Sequence, residues 1–168
     1  MHPLCPPPRG FKPAKEVTWA TLRPGPPSFI KRKSPRGRKA LGVRYERKVL
    51  EHLDATSSLP LLPSPWIEFG ERGVQKTRWC QPDGLLLDPW AGRLVVLEIK
   101  YQHTAGAWWQ LMELYAPVLR RLLPEWRLDL VEVCKWYDPA ISFPVRPRML
   151  ASLEDARDDV LGVHILKP

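Results

Sequence analysis

The chain has 168 residues, 44% of them hydrophobic, and a formal net charge of +8. This length allows one domain with a substantial core and leaves too few residues for two. Nowhere do eighteen apolar residues follow one another, and the N-terminus lacks the apolar stretch and cleavage pattern of a signal peptide. We therefore expect a soluble, cytoplasmic protein that does not associate with a membrane.

The three cysteines, Cys5, Cys80 and Cys134, form no C-x-x-C pair. An odd number without that spacing argues against a disulfide framework and against a thiolate metal site. Since Cys80 and Cys134 fall in apolar, strand-like segments, we expect them to be small core residues.

Positive charge is concentrated near the N-terminus. The first 50 residues hold thirteen Lys or Arg against Glu16 and Glu46, a net charge of +11, which leaves −3 for the rest of the chain. Residues 1–37 also contain nine prolines and few apolar residues in a regular period. This composition predicts a flexible, Pro-rich basic arm over residues 1–38, followed by one domain over residues 39–168.

A basic arm on a slightly acidic body is typical of a protein that binds a polyanion, because neutralised phosphates release their counterions. A merely solubilising tail has the same composition. If the partner is nucleic acid, the candidate contacts in and next to the arm are Lys31, Arg32, Lys33, Arg36, Arg38 and Lys39.

The first predicted elements after the arm are a helix and three strands. Leu41, Tyr45 and Val49 recur at helical spacing, which predicts an amphipathic helix over residues 40–55. Strands are expected at 66–71, at 78–88 with Pro82 near its opening or at a bulge, and at 94–100 after a turn at 89–93. The last of these is apolar on both faces, which indicates a central strand covered on both sides.

The second half of the chain predicts a second helix over residues 105–123, kinked by Pro117, and a strand over 126–137. A short helix within 152–160, capped by Ser152, and an edge strand over 161–166 complete the pattern. The order of elements indicates an α/β fold, a sheet with helices on both faces.

Charged residues gather at one end of the central hairpin. Glu98 and Lys100 project from the same face of their strand because side chains alternate. If residues 83–88 pair antiparallel with residues 94–100, Asp83 lies level with them. Two carboxylates this close repel each other unless a cation lies between them, and carboxylate oxygens with a backbone carbonyl and waters suit Mg²⁺ or Mn²⁺. A lysine beside such a metal could orient or help deprotonate a metal-bound water and offset phosphate charge, as phosphodiester hydrolysis requires.

The Pro-Asp at 82–83, followed by Glu-Ile-Lys at 98–100 on the next strand, resembles the signature of the PD-(D/E)XK nuclease superfamily. The segment "GVRYERKVLEHL" resembles the first helix of Holliday-junction resolvases, in which a glutamate points at the metal site. Glu46 occupies that position. The resemblance covers residues 42–135, with the elements in the expected order, and implies a restriction-endonuclease-like mixed central sheet.

The resemblance also implies an activity and roles for individual residues. The protein would be a Mg²⁺-dependent (or Mn²⁺-dependent) deoxyribonuclease that acts on DNA structures arising in recombination, repair or phage replication. Asp83, Glu98 and the backbone carbonyl of Ile99 would bind the metal. Lys100 would assist the nucleophile, and Glu46 would assist the metal or its water. If the gene belongs to a phage, the location would be the host cytoplasm.

A second match lies on the predicted second helix. Gln110 and Tyr115 resemble the Gln-x-x-x-Tyr motif of RecB-type nucleases, in which the two residues share a helix face near the DNA. Here they are five residues apart rather than four, about 140° around a regular helix. Gln110 is therefore either a DNA contact or an ordinary polar residue at a helix edge.

Other interpretations of the same residues remain open. The hairpin charges could be an ordinary surface Glu–Lys pair, and the same fold could serve as a non-catalytic nucleic-acid-binding module. Within the nuclease interpretation, a resolvase-like enzyme would act as a homodimer, whereas an exonuclease would depend on other subunits.

Overall fold

The computed structural model describes residues 5–31, 34–141, 143, 145–157 and 161–168. Its strands are β1 (Val17–Arg23), β2 (Leu61–Pro63), β3 (Trp66–Glu71), β4 (Arg78–Cys80), β5 (Gly84–Asp88), β6 (Arg93–Gln102), β7 (Arg127–Trp136), β8 (Arg148–Leu150) and β9 (Gly162–Ile165). Its helices are α1 (Arg38–Thr56), α2 (Ala105–Trp108), a π-helical segment (Trp109–Tyr115), α3 (Ala116–Leu122) and a 3-10 turn (Leu153–Asp155).

The strands form two sheets. A mixed six-stranded sheet has the order β2-β5-β6-β7-β9-β8, in which β6, β7, β9 and β8 run parallel. A smaller antiparallel sheet has the order β1-β3-β4. The expected α/β class with a mixed sheet is confirmed.

The β5–β6 hairpin has the predicted register. Gly84 pairs with Leu97 and Asp88 with Arg93, and the Asp88 carboxylate accepts a hydrogen bond of 3.1 Å from the Ala91 N–H in the turn. An aspartate side chain stabilises a turn in this way when it bonds the backbone that follows it. This register places Asp83 at the end of the hairpin where β6 carries Glu98 and Lys100.

Both faces of β6 are covered, as its sequence predicts. Val95, Leu97 and Ile99 pack with the buried stripe of α1, whereas Leu94 and Val96 pack with the π-helical segment and α3. Because side chains alternate, Glu98 and Lys100 lie on the second face, toward the π-helical segment. The helices therefore lie on both sides of the sheet.

Pro117 explains why the second helix is tied to the N-terminal segment. Proline has no N–H, so the carbonyl of Glu113, four residues earlier, lacks its usual α-helical donor. The N–H of Ala14 donates to that carbonyl at 2.8 Å. Trp109 strengthens the attachment, because its indole N–H donates to the carbonyl of Cys5 at 3.0 Å and its ring lies 6.0 Å from that of Phe11.

The expectation of a flexible arm over residues 1–38 is corrected in its central part, because Val17–Arg23 form strand β1. Strand β1 pairs antiparallel with β3, Ala20 opposite Phe69. Arg121 of α3 also donates to the carbonyl of Thr18. The domain boundary at residues 38–39 stays a prediction.

Three further expectations are corrected. The predicted strand at 78–88 is two strands in different sheets, β4 and β5, because Pro82 lies between them and cannot donate to a ladder. The predicted edge strand at 161–166 contains β9, which is internal because β8 pairs on its outer side. The short helix capped by Ser152 is a 3-10 turn, and residues 158–160 of its predicted range lie outside the described residues.

Cys80 and Cys134 are buried, as expected of core residues. Burial raises the pKa of each thiol to about 12, so both remain neutral near pH 7. In the described part of the chain, no helix is long and apolar enough to cross a bilayer.

Candidate active site at the end of the central hairpin

Asp83 is fixed by the backbone of the neighbouring strand. Its Oδ2 accepts a hydrogen bond of 2.6 Å from the Ile99 N–H, and its own N–H donates to the Leu97 carbonyl at 3.2 Å. The aspartate thus lies beside the Ile99 backbone, whose carbonyl is the predicted third metal ligand. Its second carboxylate oxygen is available to another partner.

Glu98 and Lys100 form an ion pair on the same face of β6, in which Nζ of the lysine contacts Oε1 of the glutamate. The Glu98 side chain is 2% exposed and that of Lys100 is 28% exposed, so the lysine leads from the buried carboxylate toward solvent. The other oxygen, Oε2 of Glu98, is buried and has no hydrogen-bond partner among the described residues.

Helix α1 approaches this end of the sheet from the opposite face. A Cβ at Gly84 would lie 3.2 Å from Cδ2 of Leu50, so glycine next to Asp83 permits this close packing. Glu46 lies one helical turn before Leu50, and its pKa responds to the charges of Asp83 and Lys100. The helix therefore brings Glu46 to the same end of the hairpin.

Burial disfavours the charged forms of the carboxyl groups at this end of the hairpin. Burial raises the pKa of Glu98 to about 8, and the Asp83 charge adds to the rise while Lys100 opposes it. Burial likewise raises the pKa of Glu46 to about 7 and also raises that of Asp83. Burial alone would lower the pKa of Lys100, but the carboxylates around it outweigh that effect, so the net shift is upward. Lys100 is therefore a cation, and a second cation at this position would favour the ionised forms of the three carboxyl groups.

The donor set fits a hard divalent cation. Asp83, Glu98 and the Ile99 carbonyl offer oxygen atoms, and the part of the chain that the structure describes supplies no hydrogen-bond donor to the buried Oε2 of Glu98. Within the described ranges, no group of three or more His, Cys, Asp and Glu side chains is arranged to hold a metal ion. Mg²⁺ needs no such group, since it is commonly held by one or two carboxylates, waters and the phosphates of the substrate.

No family model, curated protein or solved structure matches the chain.

The π-helical segment brings Gln110 and Tyr115 together despite their spacing. A π-helical turn takes one residue more than an α-helical turn, so residues five apart occupy positions that residues four apart occupy in an α-helix. Nε2 of Gln110 donates to the Tyr115 hydroxyl at 3.3 Å, and that hydroxyl donates to the Gln81 carbonyl at 3.1 Å. Tyr115 is buried and its pKa is raised by burial and by the Glu98 charge, so this helix face is directed at the site.

Sequence reasoning missed a buried pair next to the site. Glu132 on β7 is the register partner of Glu98. The exposed fraction of the Glu98 side chain is 2% and that of the Glu132 side chain is 0%. Nδ1 of His103 lies 2.6 Å from Oε2 of Glu132, and its Nε2 lies 3.1 Å from the Ile141 carbonyl. Because both partners are acceptors, both ring nitrogens carry protons and the imidazolium balances Glu132. The only signal in the sequence is a glutamate inside an apolar strand.

Four of the six predicted nucleic-acid contacts in and next to the arm fall among the described residues. Lys31, Arg36, Arg38 and Lys39 are exposed, and the last two begin α1. Arg32 and Lys33 lie outside the described residues. Their proposed contact with DNA remains a prediction.

Proposed function

We propose that the chain is a metal-dependent nuclease of the PD-(D/E)XK type, with a restriction-endonuclease-like fold, that hydrolyses phosphodiester bonds of DNA with Mg²⁺ or Mn²⁺. The observation that supports it most is the convergence of Asp83, Glu98 and Lys100 at the end of the hairpin, where a buried oxygen of Glu98 accepts no hydrogen bond from any described residue. An ordinary surface Glu–Lys pair would not bury a glutamate in this way, because isolated buried carboxylates are strongly unfavourable.

Each residue has a distinct role in this proposal. Asp83, Glu98 and the Ile99 carbonyl would hold the cation, which when bound polarises the phosphate and lowers the pKa of a water molecule. Lys100, kept cationic by its neighbours, would stabilise the negative charge that develops on the phosphate oxygens. Glu46 would orient the attacking water or accept its proton, acting from the helix on the other face.

The proposed substrate follows from charge and from the second helix. The net charge of +8 and the exposed basic residues before α1 would attract a polyanion. Gln110, held next to the site by its bond to Tyr115, would contact the DNA. We propose that the enzyme is selective for DNA structures in recombination, repair or phage DNA processing. A resolvase-like activity would also require a homodimer, which sedimentation with a four-way junction would test.

Cleavage of a labelled panel of duplex, single strand, flap and four-way junction, with Mg²⁺, Mn²⁺ or EDTA, tests the proposal. Asp83→Asn and Lys100→Met should each lower the cleavage rate by at least about a hundredfold. Glu51→Gln is a matched control, since Glu51 is exposed on α1 and pairs with Arg47 away from the site. Cleavage by Asp83→Asn at the parent rate would refute the site.

Measurements of DNA binding distinguish the proposed nuclease from a non-catalytic DNA-binding module. If the folded protein cuts no substrate but binds DNA tightly, the non-catalytic module becomes the better explanation. Isothermal titration of Mn²⁺ in the presence of DNA gives a second readout, because the metal should bind to the parent and not to Asp83→Asn.

A further inference from the structure

A cavity of about 210 Å³ lies between α1 and the ends of β6 and β7. Arg44, Lys48 and Lys135 line it together with Tyr45 and Tyr101. Tyr45 directly precedes Glu46 on α1, and Tyr101 directly follows Lys100 on β6. The cavity therefore lies at the same end of β6 as the candidate active site but on the α1 face of the sheet, because Tyr101 and Lys100 alternate along the strand.

Exposed and half-buried aromatic and basic side chains continue from this cavity to the end of β7. Nζ of Lys135 lies 5.3 Å from the ring centroid of Tyr101 and 5.8 Å from the ring centroid of Trp136. Nζ of Lys167 lies 4.5 Å from the ring centroid of Trp136. Trp136 is 49% exposed. We call this surface the basic-aromatic patch, and its members are Arg44, Lys48, Tyr101, Lys135, Trp136 and Lys167.

The cations of the basic-aromatic patch are available to a ligand. Over the described residues, none of its four basic side chains forms an ion pair with a carboxylate, whereas the neighbouring Arg47 is paired with Glu51. Arg44 and Lys48 are four residues apart, so they project from the same side of the helix. Four basic side chains without a carboxylate partner among the described residues, around the exposed ring of Trp136, favour a ligand with both phosphates and planar bases.

We propose that the basic-aromatic patch binds a single strand of nucleic acid that extends from the candidate active site. Stacking on Trp136 requires an unpaired base, because the faces of bases inside a duplex already stack on each other. The lysines and Arg44 would follow the phosphates. This role of the patch as a substrate guide rests on the proposed function and makes it more specific. The enzyme would act on DNA in which a single-stranded segment adjoins the scissile bond.

Binding in EDTA tests the patch without requiring cleavage. The assay is fluorescence anisotropy of a labelled oligothymidine of fifteen nucleotides, with a blunt duplex of the same length as comparison. Trp136→Ala should weaken binding of the single strand about tenfold and change binding of the duplex by less than about twofold. Trp136→Phe keeps an aromatic face and should restore most of the affinity.

Salt dependence gives an independent readout of the phosphate contacts. Lys48→Ala and Lys167→Ala should each reduce the slope of log affinity against log salt by roughly 0.7 for the single strand. Trp90→Ala and Lys76→Ala are matched controls on exposed turns. Trp90 is 98% exposed in the turn before β6, at the opposite end of that strand, and both variants should bind like the parent.

Unchanged single-strand affinity in Trp136→Ala would overturn the inference, and so would an equal loss in Trp90→Ala or an equal loss of duplex binding. Thermal unfolding of each variant shows whether it is folded, and Trp136→Phe preserves the test if the alanine variant is not. If the protein cuts nothing yet needs Trp136 to bind the single strand, the proposed nuclease fails while the binding surface stands.

Discussion

Replacing His103 with leucine should reveal how strongly the buried His103–Glu132 pair stabilises the sheet beside the candidate site. Leucine fills a similar space between the rings of Tyr137 and Phe143, which lie 4.6 and 4.8 Å from the imidazole, but it leaves the Glu132 carboxylate without its cation. Breaking a buried ion pair by removing one partner costs about 3–5 kcal/mol. For a chain of this length, that corresponds to a fall in Tm of roughly 6–20 °C.

A second substitution distinguishes the loss of the charge pair from simple mispacking. Glu132→Gln removes the buried charge and keeps an oxygen that can accept from the Thr104 N–H, which lies 3.2 Å from Oε1 of Glu132. In a urea-denaturation double-mutant cycle, Glu132→Gln should therefore cost at least about 1.5 kcal/mol less in the His103→Leu background than in the parent. Additive effects of the two changes would refute the assignment of a charged pair.

The pair also predicts how stability depends on pH. Burial would lower the pKa of His103, but its bonds to Glu132 and to the Ile141 carbonyl, and the nearby charge of Asp138, raise it above its usual value. The folded protein thus holds this proton more tightly than the unfolded chain. Its stabilising effect is complete below about pH 6.5 and is lost as the pH rises through the raised pKa of the folded state. The stability difference between the parent and His103→Leu should shrink with rising pH; a constant difference would contradict a charged His103.

Three further changes test other parts of the structure. Gly70→Ala should destabilise the protein by about 1–3 kcal/mol, because its Cβ would lie 2.7 Å from Cε2 of the Trp19 ring, and Trp19→Ala should relieve most of this loss in urea denaturation. Tyr115→Phe should cost about 1–2 kcal/mol, since the Gln81 carbonyl loses its donor; an unchanged unfolding midpoint would contradict that bond. Deleting residues 1–38 should lower Tm as well as DNA affinity, because it removes β1, and an unchanged Tm would show that β1 contributes nothing.

The hairpin was predictable because its determinants are local. Asp88 and Gly92 supply the turn, and the alternation of side chains along β6 decides that Glu98 and Lys100 share a face. The position of Asp83 then follows from counting residues on either side of the turn. The candidate metal ligands could therefore be placed together from the sequence alone.

Strand β1 was not predictable, because its partner lies about fifty residues away and its own pattern is mostly exposed. It has no buried alternation that would distinguish it from a loop. The attachment of the preceding segment depends on Pro117, whose missing N–H leaves a carbonyl for Ala14. Such a bond is a property of two distant segments, and composition alone does not contain it.

The pairing of His103 with Glu132 was hidden for a related reason. Neither residue predicts the pair by itself, because they are 29 residues apart in the chain. Only the parallel register of β6 and β7 brings them together.

The wide turn over Trp109–Tyr115 has a consequence for how such helices can change over time. An added residue in a regular helix rotates everything after it by about 100°, which would turn the buried side of α3 toward water. When one turn widens to hold the extra residue, the rotation is confined to that turn, and Val118 and Leu119 keep their places in the core. A helix can thus lengthen by one residue without repacking, and a pattern search that demands a fixed interval between two side chains would pass over their shared face.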